Sequence, residues 1–246
     1  MHIVLFIGGE SPAPDETESY FSRMGPPSFT VAADSGLDTL DGFAGFFGAD
    51  SFRPDVIIGD MDSLKDRSLL DRYGDARKLI SPADKDLSDT ELGLLECASR
   101  RKSDADLITL IGGNGGRADH FIGIYETFST DVHANVWLCG KQAAVWLGDG
   151  WSVELDGLSP SDCVSIARTA GCYGCGSIES EGLEWGSGAM RKSGMPSLSN
   201  RISRKSFEEK SPVSVSAKGA SFLVFAPISS VTARYGRNRK KTDARR

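Results

Sequence analysis

The stretch Val56-Ile57-Ile58-Gly59-Asp60-Met61-Asp62-Ser63 decides how this chain is read. Its first three residues are β-branched and apolar, which predicts a buried strand. Gly59, Asp60 and Ser63 are turn formers, so the strand ends in a tight polar turn. Two carboxylates one residue apart raise each other's pKa unless positive charge lies between them. Two readings follow. One is a solvated turn. The other is a site for a hard divalent cation such as Mg²⁺, which takes oxygen ligands and usually arrives with substrate phosphates.

Outward from this stretch, the first 140 residues alternate short apolar runs with helix-like segments. Strands are predicted over 3–7, 29–33, 55–58, 76–80, 106–111 and 135–138, with amphipathic segments clearest over 89–101 and 119–128. Alternating strand and helix predicts an α/β fold, Rossmann-like, with a mostly parallel sheet and flanking helices. The near-continuous apolar strands fit burial on both faces. The pattern changes after about residue 142. Runs over 143–147, 151–155, 163–167, 213–217 and 222–226 are short and separated by Gly, Ser, Pro and Asp. They predict a smaller all-β sandwich or barrel. The expected division is residues 1–140 as an α/β domain, 141–233 as a β-sandwich domain and 234–246 as a basic, disordered tail. Residues 186–211, rich in Gly, Ser, Lys and Arg, read as a long loop or β-excursion.

Bulk composition narrows the function classes. The content is 39% hydrophobic and 25% charged, that of a soluble globular chain. No apolar run approaches the roughly 20 residues of a membrane helix. The first seven residues lack a basic n-region and read as a strand rather than a signal peptide. Five scattered cysteines point to a reducing cytoplasm. Cys172-Tyr173-Gly174-Cys175 has no second ligand pair and reads first as a turn between strands. The net charge of −6 is uneven: residues 234–246 hold seven Lys/Arg and one Asp, leaving −12 on the rest. An acidic body argues against sequence-independent nucleic-acid binding.

The polar residues of the first half fall after predicted strands. Gly8-Gly9-Glu10 follows the first, Asp34-Ser35-Gly36 the second, Asp60 and Asp62 the third. Asp84-Lys85-Asp86 and Asp89 follow the fourth, and Gly112–Arg117 follows the fifth. In a parallel sheet these positions share one edge, and ligands bind in the crevice outside it. Carboxylates converging there favour the metal–phosphate reading. Ser88-Asp89-Thr90-Glu91 has the form of a capping box, placing Asp89 in the first turn of a helix. Gly115 and Gly116 belong to a run whose backbone N–H groups could cradle phosphate oxygens. Arg117 could hold a phosphate bidentately. His120, near a helix start, fits a structural or a nucleotide-contacting role.

At these residues the chain resembles the thiamine pyrophosphokinase family. Ala33-Asp34-Ser35-Gly36 resembles its Ala-Asp-Gly-Gly, and 54–63 its Pro-Asp-x-x-Ile-Gly-Asp-Phe-Asp-Ser. Lys85–Glu91 resembles Lys-Asp-x-Thr-Asp-x-Glu, and Gly115–His120 resembles Gly-Gly-Arg-x-Asp-His. Gly182-Leu183-Glu184-Trp185 and Ser199-Asn200 resemble the thiamine-binding stretch. The resemblance implies conversion of thiamine and ATP to thiamine diphosphate and AMP, in a homodimer with active sites at the subunit interface. It implies Asp60, Asp62, Asp86 and Asp89 around Mg²⁺ and the phosphates, with Lys85 as a catalytic cation. Asp34, Gly115, Gly116, Arg117, Asp119 and His120 are the implied nucleotide-binding positions. Trp185, Ser199 and Asn200 are the implied thiamine contacts; a core position is the other reading of Trp185. The chain departs from the pattern at Ser35, which would be strained if that position needs positive φ, and at Met61.

Three other functions share parts of this pattern. A pyrophosphokinase acting on a pterin alcohol would keep the first half and change the second. A non-catalytic nucleotide or thiamine sensor would not need every carboxylate. A glycosyltransferase could use Asp60 and Asp62 to hold Mn²⁺, but leaves 85–91 and 115–120 without a role.

Overall fold

A computed structural model describes residues 1–80 and 86–237. Strands β1 (His2–Phe6), β2 (Phe29–Ala33), β3 (Val56–Gly59), β4 (Arg77–Ile80), β5 (Leu107–Ile111) and β6 (Val136–Cys139) appear where the apolar runs predict them. Helices α1 (Glu18–Met24), α2 (Gly36–Phe47), α3 (Leu69–Arg72), α4 (Asp89–Arg100) and α5 (Ala118–Thr127) lie between them. All pairings among β1–β6 are parallel, in the order β6-β5-β1-β2-β3-β4. The chain therefore reverses direction across the sheet between β1 and β5, which is where such sheets open a crevice.

Successive side chains of a strand point to opposite faces, and β1 shows why its run is apolar throughout. Val4 and Phe6 enter one core with Leu37, Leu40 and Phe43 of α2. Ile3 and Leu5 enter the other core with Leu94 of α4 and Ile124 of α5. In the first core, Phe21 and Phe52 meet edge to face at 5.0 Å, and Phe6 and Phe43 at 5.1 Å. Each such pair adds about 0.5–1.5 kcal/mol beyond area burial.

The second half consists of β7 (Gln142–Leu147), β8 (Trp151–Leu155), β9 (Val164–Arg168), β10 (Ser177–Glu181), β11 (Ser197–Asn200), helix α6 (Arg204–Glu208), β12 (Val213–Lys218), β13 (Phe222–Pro227) and β14 (Val231–Arg237). Here the expected division changes. β7 pairs antiparallel with β6, and β13, β9 and β11 follow it, so one ten-stranded sheet runs through both halves. The separate all-β unit expected from residue 141 shares its main sheet with the first 140 residues. The cause is the two-residue link between β6 and β7, which makes a tight antiparallel return from an already buried strand. A second sheet, β10-β12-β8-β14, is antiparallel throughout. Val153, Leu155, Val213 and Val215 from it share one apolar core with Val145, Ile166 and Val224 of the large sheet.

The expected boundary at residue 234 also changes, because a strand crosses it. Residues 234–237 complete β14, and Tyr235 donates a hydrogen bond to the Trp146 carbonyl at 2.8 Å. That hydroxyl accepts from Asn135 Nδ2 at 3.2 Å, which ties the strand to the parallel half. Residues 238–246 lie outside the described residues. Among the described residues no helix is long and apolar enough to cross a membrane.

Candidate active site

Three carboxylates converge outside the carboxyl ends of the parallel strands. Asp34 follows β2, Asp60 follows β3 and Asp89 opens α4, and each offers an oxygen within 4.8 Å of the others. Local structure delivers each one. Asp34 takes φ 50°, a left-handed conformation that Asp and Asn tolerate better than other side-chain-bearing residues. The strain anticipated at Ser35 therefore falls one residue earlier; Ser35 itself is helical at φ −63°. Gly36 lets α2 start against β1, because a Cβ there would collide with the Phe6 carbonyl. Gly59, at φ 129°, makes room for Asp89: a Cβ would lie 3.2 Å from its carboxyl carbon. Asp89 is fixed by the predicted capping box. Ser88 Oγ accepts from Glu91 N at 3.3 Å, and Ser88 N donates to Glu91 Oε2 at 2.8 Å.

The electrostatics at Asp34 are set by burial and by its acidic neighbours. Burial pushes the Asp34 carboxyl above its ordinary range; a hydrogen bond from Ser63 Oγ opposes this, and Asp89, Asp62 and Asp60 add to the rise. Among the described residues Asp34 Oδ1 is buried with no hydrogen-bond partner. A buried acceptor without a donor costs about 1–3 kcal/mol. The chemistry of the donors, all hard oxygens, and the orphaned atom fit a divalent cation of the Mg²⁺ type.

Not every expected ligand joins the cluster. Asp62 is exposed and outside the trio; its backbone N–H donates to Asp60 Oδ1 at 3.1 Å, which closes the turn. Asp86 is also exposed and outside the trio. Lys85 and Asp84 lie outside the described residues. Arg117 forms an ion pair with Asp119 at 2.5 Å, with both side chains mostly exposed. The carboxylate raises the Arg117 pKa, and Asp119 in turn is held down at about 2 by that guanidinium. His120 is exposed beside them.

Beside the trio lies a crevice of about 600 Å³, lined by Glu10, Ser35, Ser63, Lys65, Asn114 and Gly116 among others. Its far wall is tied together by backbone hydrogen bonds. Glu10 and Asn114 exchange backbone hydrogen bonds of 2.7 and 3.1 Å, joining the loops after β1 and β5. Gly115 sits over this pair at φ 65°, where a Cβ would strike the Glu10 carboxylate. Lys65 is the cation that sequence reading missed. Asp38, in the first turn of α2, accepts from Lys65 N at 3.0 Å and from Asp66 N at 3.1 Å. This clamp holds the loop carrying Ser63 and Lys65. The available signal was a lysine two residues beyond the Asp-x-Asp-Ser turn, with an acidic residue four beyond Asp34.

The expected thiamine positions lie in the antiparallel half. The Trp185 ring is 47% exposed, which excludes the core reading. The Arg201 guanidinium stands over it at 5.4 Å. Asn200 is fully buried and structural in its contacts: it accepts from Trp185 N at 3.2 Å and donates to Trp185 O at 2.8 Å. Ser199 takes φ 55°, and its N–H donates to Ser165 Oγ at 3.0 Å.

An acidic cluster outside the carboxyl ends of a parallel sheet, beside a crevice that reaches the glycine-rich loop, is an arrangement of α/β proteins that handle metal-bound phosphates. Residues 24–138 match the family model described as thiamin pyrophosphokinase, catalytic domain. Over those residues the chain is similar to the thiamin pyrophosphokinase family. Among solved structures, a thiamin pyrophosphokinase family protein from Enterococcus faecalis aligns at TM-score 0.65 and 17% identity, over 92% of this chain and 99% of that one. Thiamin pyrophosphokinase from Candida albicans aligns at 0.65 and 14%, over 92% and 88%. Thiamine pyrophosphokinase from Bacillus subtilis aligns at 0.63 and 17%, over 92% and 99%. At these identities the likeness shows a shared fold. No curated protein matches the chain by sequence.

Proposed function

We propose that this protein transfers the diphosphoryl group of ATP to the hydroxyl of thiamine, giving thiamine diphosphate and AMP. The observation that carries the reading is the Asp34–Asp60–Asp89 cluster, with its orphaned buried oxygen, inside a segment that matches a thiamin pyrophosphokinase catalytic domain. Asp34, Asp60 and Asp89 are the residues that would hold Mg²⁺, with Asp62 and Asp86 on the exposed rim. The metal, when bound, supplies neutralisation of phosphate charge.

The chain's own groups supply positioning, which is most of what phosphoryl-type transfer asks of a protein. Lys65, presented by the Asp38 clamp, contacts the polyphosphate in the crevice. Gly115 and Gly116 offer backbone N–H groups on the opposite wall. Arg117, released from Asp119, takes up a phosphate oxygen, and His120 lies beside the nucleotide. Lys85 adds a second cation. Asp89 is placed to orient the thiamine hydroxyl and accept its proton. Thiamine is cationic and aromatic, so the exposed Trp185 face is a sound cradle, supported from behind by Asn200 and Ser199. In this reading the parallel half binds Mg-ATP in a Rossmann-like arrangement, and the antiparallel half, β7 to β14, packs its second sheet on the shared large one as a sandwich that binds thiamine. The working form is a cytoplasmic homodimer with active sites at the interface, independent of nucleic acid and membranes.

The direct test is to incubate purified protein with ATP, Mg²⁺ and thiamine and to follow AMP and thiamine diphosphate. Thiamine-dependent AMP release is expected. Its absence in folded protein across several divalent metals, or a preference for a pterin alcohol run in parallel, would overturn the reading.

A further inference from the structure

The Cys172-Tyr173-Gly174-Cys175 segment has no part in the reaction proposed above. Its geometry is nevertheless specific. Cys175 N donates to Cys172 O at 3.1 Å, closing a four-residue turn. Gly174 takes φ 73°, the left-handed value that the third position of a type II turn requires. A turn of this kind holds its first and last Cα atoms within about 7 Å. Disulfides need Cα atoms about 4.4–6.8 Å apart. The two cysteines thus already stand at bridging distance in the backbone, and both are free thiols.

The turn is also stapled. Arg168, only 4% exposed, lies over the Phe222 ring at 4.8 Å. Its guanidinium donates to the carbonyls of Cys175, Gly176 and Ser193. The Arg168 carbonyl in turn accepts the Tyr125 hydroxyl of α5. One buried cation therefore fixes the turn's exit to the β-sheet and to the helix behind the glycine-rich loop. The two sulfurs differ in setting. Cys172 is half-buried, with Sγ 3.6 Å from Ser221 Oγ, in a cluster where Thr169 Oγ1 and Ser221 Oγ lie 2.5 Å apart. A backbone hydrogen bond from Ser221, with help from Thr169 and Arg168, holds its thiol below the ordinary range. Cys175 is exposed.

We propose that Cys172 and Cys175 form a thiol–disulfide exchange site for small-molecule disulfides. The Cys172 thiolate attacks one sulfur of the disulfide RSSR, forming a mixed disulfide and releasing one thiolate, which takes up a proton. Cys175 loses its proton and attacks Cys172 Sγ, releasing the second RSH. One S–S bond breaks, one Cys172–Cys175 bond forms, and two thiols leave; the disulfide is the oxidant. Because the turn and its Arg168 staple are already in place, closure needs side-chain rotation and no unfolding. Tyr173, 70% exposed at the tip, leaves the approach open.

The test treats the full chain with glutathione disulfide under native conditions, followed by alkylation and peptide mass mapping. The expected result is loss of two hydrogens within the peptide spanning 172–175, reversed by dithiothreitol. Cys175→Ser is expected to stall with one glutathione on Cys172. Cys172→Ser is expected to form no internal bridge. Exposed Cys163 serves as the internal control for unselective reaction. If folded protein carries glutathione on Cys163 while the 172–175 peptide remains a dithiol, the proposal fails. It fails equally if Cys175→Ser, with an unchanged melting curve, collects its adduct on Cys163 rather than Cys172.

Discussion

Asp34 and Asp106 stand at opposite ends of the same parallel sheet and are treated in opposite ways. Asp106, just before β5, accepts from the Met1 ammonium at 2.6 Å, from Lys102 N at 2.7 Å and from Ser103 N at 3.0 Å. These donors, the ammonium first, hold its carboxyl down at about 2. Asp34, just after β2, has one hydroxyl donor and three carboxylate neighbours, and its pKa is raised. Where a carboxylate serves the fold, the chain surrounds it with donors. Where it is left short of donors beside its own kind, one oxygen stays open among the described residues.

The comparison can be broken most sharply at Asp60. Asp60→Asn is expected to lower the rate of thiamine-dependent AMP release by on the order of 10²–10³-fold, the scale for losing one preorganised charge contact. Its melting temperature should not fall. A rate within a few-fold of the parent would remove Asp60 from the site.

Lys65→Met comes next in size. It deletes a charged hydrogen bond to phosphate, about 1.5–3 kcal/mol, so affinity for magnesium tripolyphosphate should drop roughly ten-fold or more. Calorimetric titration with that probe reads the effect even if the acceptor is not thiamine. Equal affinities for both proteins would exclude Lys65 from the phosphate site.

Asp106→Asn tests the structural end. A folded pKa below the unfolded one contributes stability that is present above the unfolded pKa and lost as pH falls through the folded value. The variant should therefore melt earlier at pH 7, by about 1–3 kcal/mol, and converge on the parent as pH falls from about 4 toward 2. A deficit that is the same at both ends of that range would deny the ion pair its role.

Asp34→Asn should show the smallest effect and the opposite sign. Its folded pKa is raised, so stability is greatest when the group is protonated and is lost as pH rises through that pKa. Neutral Asn accepts the same φ and should raise stability near pH 7 by about 0.5–2 kcal/mol in metal-free buffer. Added Mg²⁺ should stabilise the parent more than the variant. A variant less stable than the parent without metal would show that the cluster is not strained.

Much of this was legible in the sequence, and the unread parts share a cause. The inner parallel strands are buried on both faces and announce themselves as apolar runs; β2 at Phe29–Ala33 falls where its run places it, as does β8 at Trp151–Leu155 in the antiparallel half. β10, Ser177–Glu181, buries only Ile178, and β14 is largely polar along its exposed edge, so neither stands out from a loop. α6 is five residues long, too short for a helical period to be seen. At the site, Asp60 and Asp89 were visible because a turn and a capping box fix them locally. Membership of the trio depends on spacing across strands, so Asp34 joined it and Asp62 did not. Lys65 was invisible because its placement rests on Asp38, 27 residues earlier.

The continuity of the large sheet has a mechanical consequence. Ten strands spaced about 4.8 Å apart make a hydrogen-bonded ruler roughly 40 Å across. No hinge interrupts it between the carboxylate edge and the strand that carries Asn200. Two-lobed enzymes often shut out water by folding one lobe onto the other. Among the described residues the sheet offers no such jaw. The distance between the carboxylate edge and the strand that carries Asn200 is set when the chain folds.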